Sequence, residues 1–185
     1  MPIPCRLTLF LLPLSALLSA NVWAYQSSQP VLCKVEEATA HLSVAIRIAE
    51  KTDDSWGTIS YTSAFTDRAL LTYLDLLIYE YCKYPEGYLQ RSRVETIVLV
   101  TDLAFNGQPR AAIPDPYKKQ LFLSTNGAYA HPSTRYLSHV MHHELHHCTE
   151  FSLWNSMTYD WREWQQLNDS SFCYGNGGGS AYVNA

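Results

Sequence analysis

From Ser133 to Glu150 the chain reads STRYLSHVMHHELHHCTE, and the way this stretch divides into two faces decides the fold around it. Pro132 stands just ahead, at a position suited to a helix start. At about 100° per residue, Leu137, Met141, Leu145 and Cys148 fall on one narrow apolar stripe. His139, His143, His147, Tyr136 and Glu150 fall roughly opposite, with Glu144 on the flank. The predicted helix has a core side and a chemical side. Within it, His143-Glu144-x-x-His147 sets two imidazoles one turn apart beside a carboxylate, the pattern by which a single helix binds zinc and supplies a general base.

His142 and His146 form a second pair at the same spacing. His143, not a carboxylate, follows its first member, so that pair offers ligands without a neighbouring base. His143 and His147 are therefore the favoured ligands, with His142 and His146 oriented by surrounding contacts. The plainer reading is a histidine-rich run that meets the pattern by chance, with Glu144 an ordinary surface glutamate.

A catalytic zinc needs three protein ligands and an open position. The metzincin extension requires glycine and histidine where this chain has Glu150 and Leu153, so that subclass is excluded. Neither a downstream Asn-Glu-x-x-x-Glu nor a Gly-Thr-x-x-x-x-Tyr-Gly is present. Three carboxylates remain. Glu150 is one turn beyond His147 and better placed to orient it than to bind metal. Glu163, with Asp160 as the alternative, lies on a segment able to fold back over the helix; otherwise the two form a solvated acidic face with Arg162.

Working outward, apolar positions at helical spacing from Val35 to Lys51 predict one helix after a polar lead-in over 25–32. A second runs from an N-cap at Thr66 through Tyr81, ending before Pro85 and Gly87. Glu95–Phe105, around Ile97-Val98-Leu99-Val100, and Lys119–Ser124 read as strands, with a brief candidate at Thr58–Thr62. Asn106-Gly107 and Pro114–Pro116 mark turns. Helices, then strands, then a ligand-bearing helix make an α+β fold, a small mixed sheet packed on helices. Beyond it, Trp154, Trp161, Trp164, Leu167 and Phe172 read as core cover, and Gly177-Gly178-Gly179 as a flexible tail.

At 185 residues, 47% of them hydrophobic and 16% charged, residues 25–185 suit a single domain. A net charge of −4 without a basic stripe argues against nucleic acid. Arg6, the apolar run Leu7–Leu18 and Val22-Trp23-Ala24 read as a signal peptide over 1–24, a retained anchor being the alternative. The mature chain would be secreted or periplasmic, with no stable membrane span. There Cys33, Cys82, Cys148 and Cys173 form an even set with three possible connectivities, of which Cys33–Cys82 with Cys148–Cys173 is favoured. Cys148 points to the core stripe and is expected as a disulfide or buried thiol, not a metal ligand.

Tyr84-Pro85, Ile97-Val98-Leu99-Val100, the His-Glu core, Trp164-x-x-Leu167-Asn168 and Phe172-x-Tyr174 together give the stretch from Tyr79 to Tyr174 a resemblance to bacterial secreted or lipid-anchored zinc metallopeptidases of the zincin class. The resemblance implies a mixed zincin fold, one zinc on His143 and His147, Glu144 as base, and a third acidic ligand on a later helix. In such relatives that carboxylate follows the Trp-x-x-Leu-Asn segment, beyond the last residue here, so either Asp160 or Glu163 replaces it or the chain is truncated. The leading expectation is a zinc peptidase acting on peptides or proteins. A non-catalytic metal-binding protein and a truncated pseudo-peptidase are the alternatives.

Overall fold

The apolar run Ile97-Val98-Leu99-Val100 becomes the axis of the molecule. In the computed structural model, which describes residues 26–48, 58–128, 132–155 and 166–167, ten elements follow one another. They are α1 (Gln29–Leu42), β1 (Ala45–Ile48), β2 (Ile59–Thr62), α2 (Asp67–Tyr81), α3 (Tyr88–Arg91), β3 (Thr96–Phe105), β4 (Gln108–Pro109), β5 (Ala112–Asp115), β6 (Gln120–Ser124) and α4 (Thr134–Trp154). The architecture is mixed α+β, four helices with a six-stranded mixed sheet in the order β1-β3-β6-β5. β1, β3 and β6 are parallel, and β5 closes the edge antiparallel to β6. The far half of β3 pairs antiparallel with β2 and β4.

Because side chains alternate across a strand, β3 sends Ile97 and Leu99 to one face and Val98 and Val100 to the other, and all four are fully buried. On the first face they meet Leu121, Leu123 and the apolar stripes of α1, α2 and α4. Opposite, Val98, Val100, Leu103, Ile113 and Phe122 form a smaller core under Tyr61 and Phe105. Burial on both sides is why the run reads as continuously apolar rather than alternating.

Several expectations hold. α2 starts where Thr66 Oγ1 accepts from the Ala69 amide at 3.2 Å, Ile59–Thr62 is a strand, and Asn106 and Gly107, both at positive φ, turn β3 into β4. Others need correction. α1 begins at Gln29, inside the supposed lead-in, and ends at Leu42 instead of running to Lys51. Ser43, left-handed at φ 54°, closes it by donating its amide to Thr39 O, and Ala45–Ile48 then pairs with Thr96–Leu99. Ala45 and Ile46 fit a helical period too, but a parallel partner satisfies their backbone and buries Ile46.

Pro114, read as a turn, is in β5. The Ser124 amide donates to Ala111 O across the β5–β6 pair, so by antiparallel alternation Ala112 and Pro114 direct their backbone groups away from β6. A proline on an edge strand facing outward forfeits no ladder bond. Cys33 and Cys82 are exposed free thiols, so the expected bridge between them is not formed in this structure. No helix among the described residues is long and apolar enough to cross a membrane. The expected signal segment, Asp160, Glu163, Cys173 and the glycine tail lie outside the described residues.

Candidate metal centre

α4 carries the histidines, and its core stripe sets their direction. Ser133 caps it, its Oγ accepting from the Tyr136 amide at 3.2 Å, and Asn155 ends it in a left-handed conformation at φ 55°. Met141, Leu145, Cys148 and Phe151 are buried, as is Val140, the first three and Val140 joining the core on the helix face of the sheet. The buried Tyr81 hydroxyl donates to Met141 O at 3.0 Å, holding α4 to α2 through the helix backbone itself. Burial pushes the Cys148 thiol up to about 12, as suits an inert core residue.

On the outward face, His143 Nε2 and His147 Nε2 stand 3.2 Å apart, their rings nearly perpendicular at 89°. Two nitrogens bound to one tetrahedral zinc at roughly 2.0–2.1 Å are about 3.3 Å apart, so these two rings already have the bite of a shared ion. Glu150 Oε2 lies 3.0 Å from His147 Nδ1. A carboxylate can only accept, so Nδ1 carries the proton and the Nε2 lone pair points outward. His143 Nε2 then donates to His147, and binding an ion requires only that His143 move its proton to Nδ1. Desolvation, with His147, His139 and His146 nearby, lowers the His143 pKa, which favours the neutral ligand form. Glu150 Oε1 also reaches His146 Nε2 at 3.3 Å, so Glu150 stands against the His147 ring, where its place in the sequence put it.

Glu144 faces an opening of about 380 Å³ that it lines with His147, Phe105, Arg110, Ala112, Ile113 and Pro114. Burial pushes its carboxyl up to about 7, and the charge of Arg110 works against that rise. A carboxylate that titrates near neutrality is matched to taking and returning a proton.

No protein-family model matches this chain, and no curated protein or solved structure is detectably similar to it. The arrangement of its own side chains therefore carries the functional argument.

His142 separates the two histidine pairs. Its Nε2 lies 2.8 Å from Glu80 Oε2 and its Nδ1 2.7 Å from the Tyr84 hydroxyl. With both nitrogens engaged on the α2 side, it does not converge with His146. Glu80, on the buried face of α2, also accepts from Lys83 Nζ at 2.5 Å and Ser138 Oγ at 3.0 Å. Desolvation raises its pKa, but Lys83, His142 and Ser138 outweigh that and hold the carboxyl down at about 2. Sequence reading missed Glu80, although its signal was present: a charge on the stripe of Tyr73, Leu77 and Tyr81 must have a partner.

Among the described residues, no group of three or more His, Cys, Asp or Glu is placed to share a metal ion. Both favoured candidates for the third ligand, Glu163 and Asp160, lie outside those residues.

Proposed function

We propose that the chain is an exported zinc-dependent peptidase of the zincin class. One observation carries the reading: two outward Nε2 atoms 3.2 Å apart beside the half-buried Glu144, which lines the same opening as one of them. Bound there, zinc would act as a Lewis acid, bringing the pKa of its water to about 7 and polarising a carbonyl oxygen.

The chain's own residues divide the remaining work. His143 and His147 hold the ion, Glu150 fixes the His147 ring, and Glu144 accepts the proton of the attacking water and returns it to the leaving amine. The outward backbone groups of Ala112 and Pro114 border the same opening, and an extended peptide paired to that edge would present its carbonyls towards Glu144. Glu163, with Asp160 as alternative, is the proposed third ligand. A small mixed sheet packed on helices, with the histidine helix beside its β5 edge, is the arrangement the zincin reading expects.

A second reading, zinc binding without turnover in a pseudo-peptidase, is favoured by the presence of only two converging ligands among the described residues. Zinc analysis of the mature protein, with peptide hydrolysis by wild type and Glu144→Gln, separates the two. The peptidase reading expects about one zinc per chain, chelator-sensitive cleavage, and a roughly 10²–10⁴-fold loss in the variant at unchanged zinc content. Zinc without cleavage leaves the binding module; equal cleavage by both proteins removes the mechanism.

A further inference from the structure

Arg110 is the only fixed cation lining the opening beside Glu144 and His147 among the described residues. It follows the β3–β4 hairpin and stands two residues before β5, its amide donating to Leu103 O at 2.8 Å, so the backbone that carries it is anchored to the sheet. Its guanidinium donates to Gln108 Oε1 at 2.9 Å, a neutral partner. No carboxylate among the described residues makes a close ion pair with it, and Glu144 is sensed through space only. The rest of the wall is Phe105, Ala112, Ile113 and Pro114.

A planar fork of donors, exposed at the rim of this opening in a chain of net charge −4, has the geometry to take a carboxylate in two parallel hydrogen bonds.

We propose that Arg110 captures a carboxylate of the peptide bound at this site, so that the protein selects peptides bearing a negative charge close to the bond presented to Glu144. The inference rests on the peptidase reading for its substrate, but the contact itself needs no turnover. The carboxylate has two sources, an Asp or Glu side chain within the peptide or the free C-terminus. The first makes an endopeptidase with acidic preference; the second trims chains from their ends.

The test uses the zinc-treated full mature chain carrying Glu144→Gln, so that binding is read without cleavage, with Arg110 intact, Arg110→Ala or Arg110→Glu. Four labelled peptides of one sequence are titrated by fluorescence anisotropy. Three are acetylated and amidated with Glu, Gln or Lys at the central position, and the fourth carries Gln with a free C-terminus. With Arg110 intact, the Glu peptide or the free C-terminus binds about tenfold tighter than the amidated Gln peptide, and whichever does so names the source. Arg110→Ala removes the preference and Arg110→Glu turns it towards the Lys peptide. Thermal melts confirm that each variant is folded, and a preference for the carboxylate-bearing peptide that survives in either folded variant overturns the proposal. Equal binding of all four peptides, or binding of none, overturns it as well.

The same peptides given to the Glu144 chain keep the two claims apart. Charge-selective binding without cleavage sinks the peptidase reading and leaves the carboxylate site standing. Cleavage without charge preference does the reverse.

Discussion

His142 and His143 are neighbours on one helix with opposite fates, and the contrast between the flanks they occupy explains how α4 works. His142 turns towards α2, where Glu80, Tyr84, Ser138 and Lys83 use up its polar atoms and those of Glu80 in a closed network. His143 turns outward, where one nitrogen meets His147 and the Glu144 carboxyl titrates near neutrality instead of being held ionised. A closed network rigidifies; an open one has bonding capacity left for something else. On the proposed reading one helix needs both, because His143 and His147 can hold an ion only if the helix under them cannot rotate.

Exchanging the two histidines against alanine is the sharpest way to break this comparison. His143→Ala should weaken zinc binding on the order of a thousandfold, measured by competition with a chromogenic chelator, while leaving the melting temperature of the metal-free protein nearly unchanged. His142→Ala should do the opposite, lowering stability and leaving zinc affinity within a few-fold. If both variants lose zinc alike, the division between flanks is wrong.

Next in size is the closed network itself. Glu80→Ala strands His142 and Lys83 and should cost about 2–3 kcal/mol in urea unfolding. Its pH dependence has a definite sign. The Glu80 carboxyl is lowered from 4.5 to about 2 on folding, so its contribution is complete above pH 4.5 and disappears as pH falls towards 2. Wild-type stability should drop through that window more steeply than that of Glu80→Gln.

On the open flank, Glu150→Gln leaves both ligands in place but exchanges a charged acceptor for a neutral one at His147 Nδ1. Zinc affinity should fall about 10- to 100-fold, with no loss of stability in the metal-free protein. An unchanged affinity would mean that the His147 ring is held by its packing alone.

The smallest effect concerns Glu144 in metal-free protein. Its carboxyl rises from 4.5 to about 7 on folding, so the raised pKa favours the fold below pH 4.5 and that contribution is lost as pH climbs through 7. Glu144→Gln should therefore be more stable than wild type above pH 7, by about 1–2 kcal/mol, and not below pH 4.5. A variant without that gain would place the carboxyl in water rather than in the wall of the opening.

Local chemistry made much of this protein legible in one dimension. The Thr66 cap, the Asn106-Gly107 turn, the doubly buried strand around Ile97–Val100 and the two-faced helix from Ser133 depend on neighbours within a few residues, and each forms as its pattern dictates. The pairing of His143 with His147 and the place of Glu150 beside them belong to the same class, because a helix fixes what lies three and four positions away. Only the tertiary structure decided the rest. Ala45–Ile48 became a strand because Thr96–Leu99 was there to pair with it, and Pro114 joined the sheet because its strand lies at an edge. Glu80 met His142 across 62 positions, and Arg110 came to the rim of the opening beside Glu144. Periodicity records which face of an element is buried but not what buries it, and so the histidine helix was readable while the partners that aim it were not.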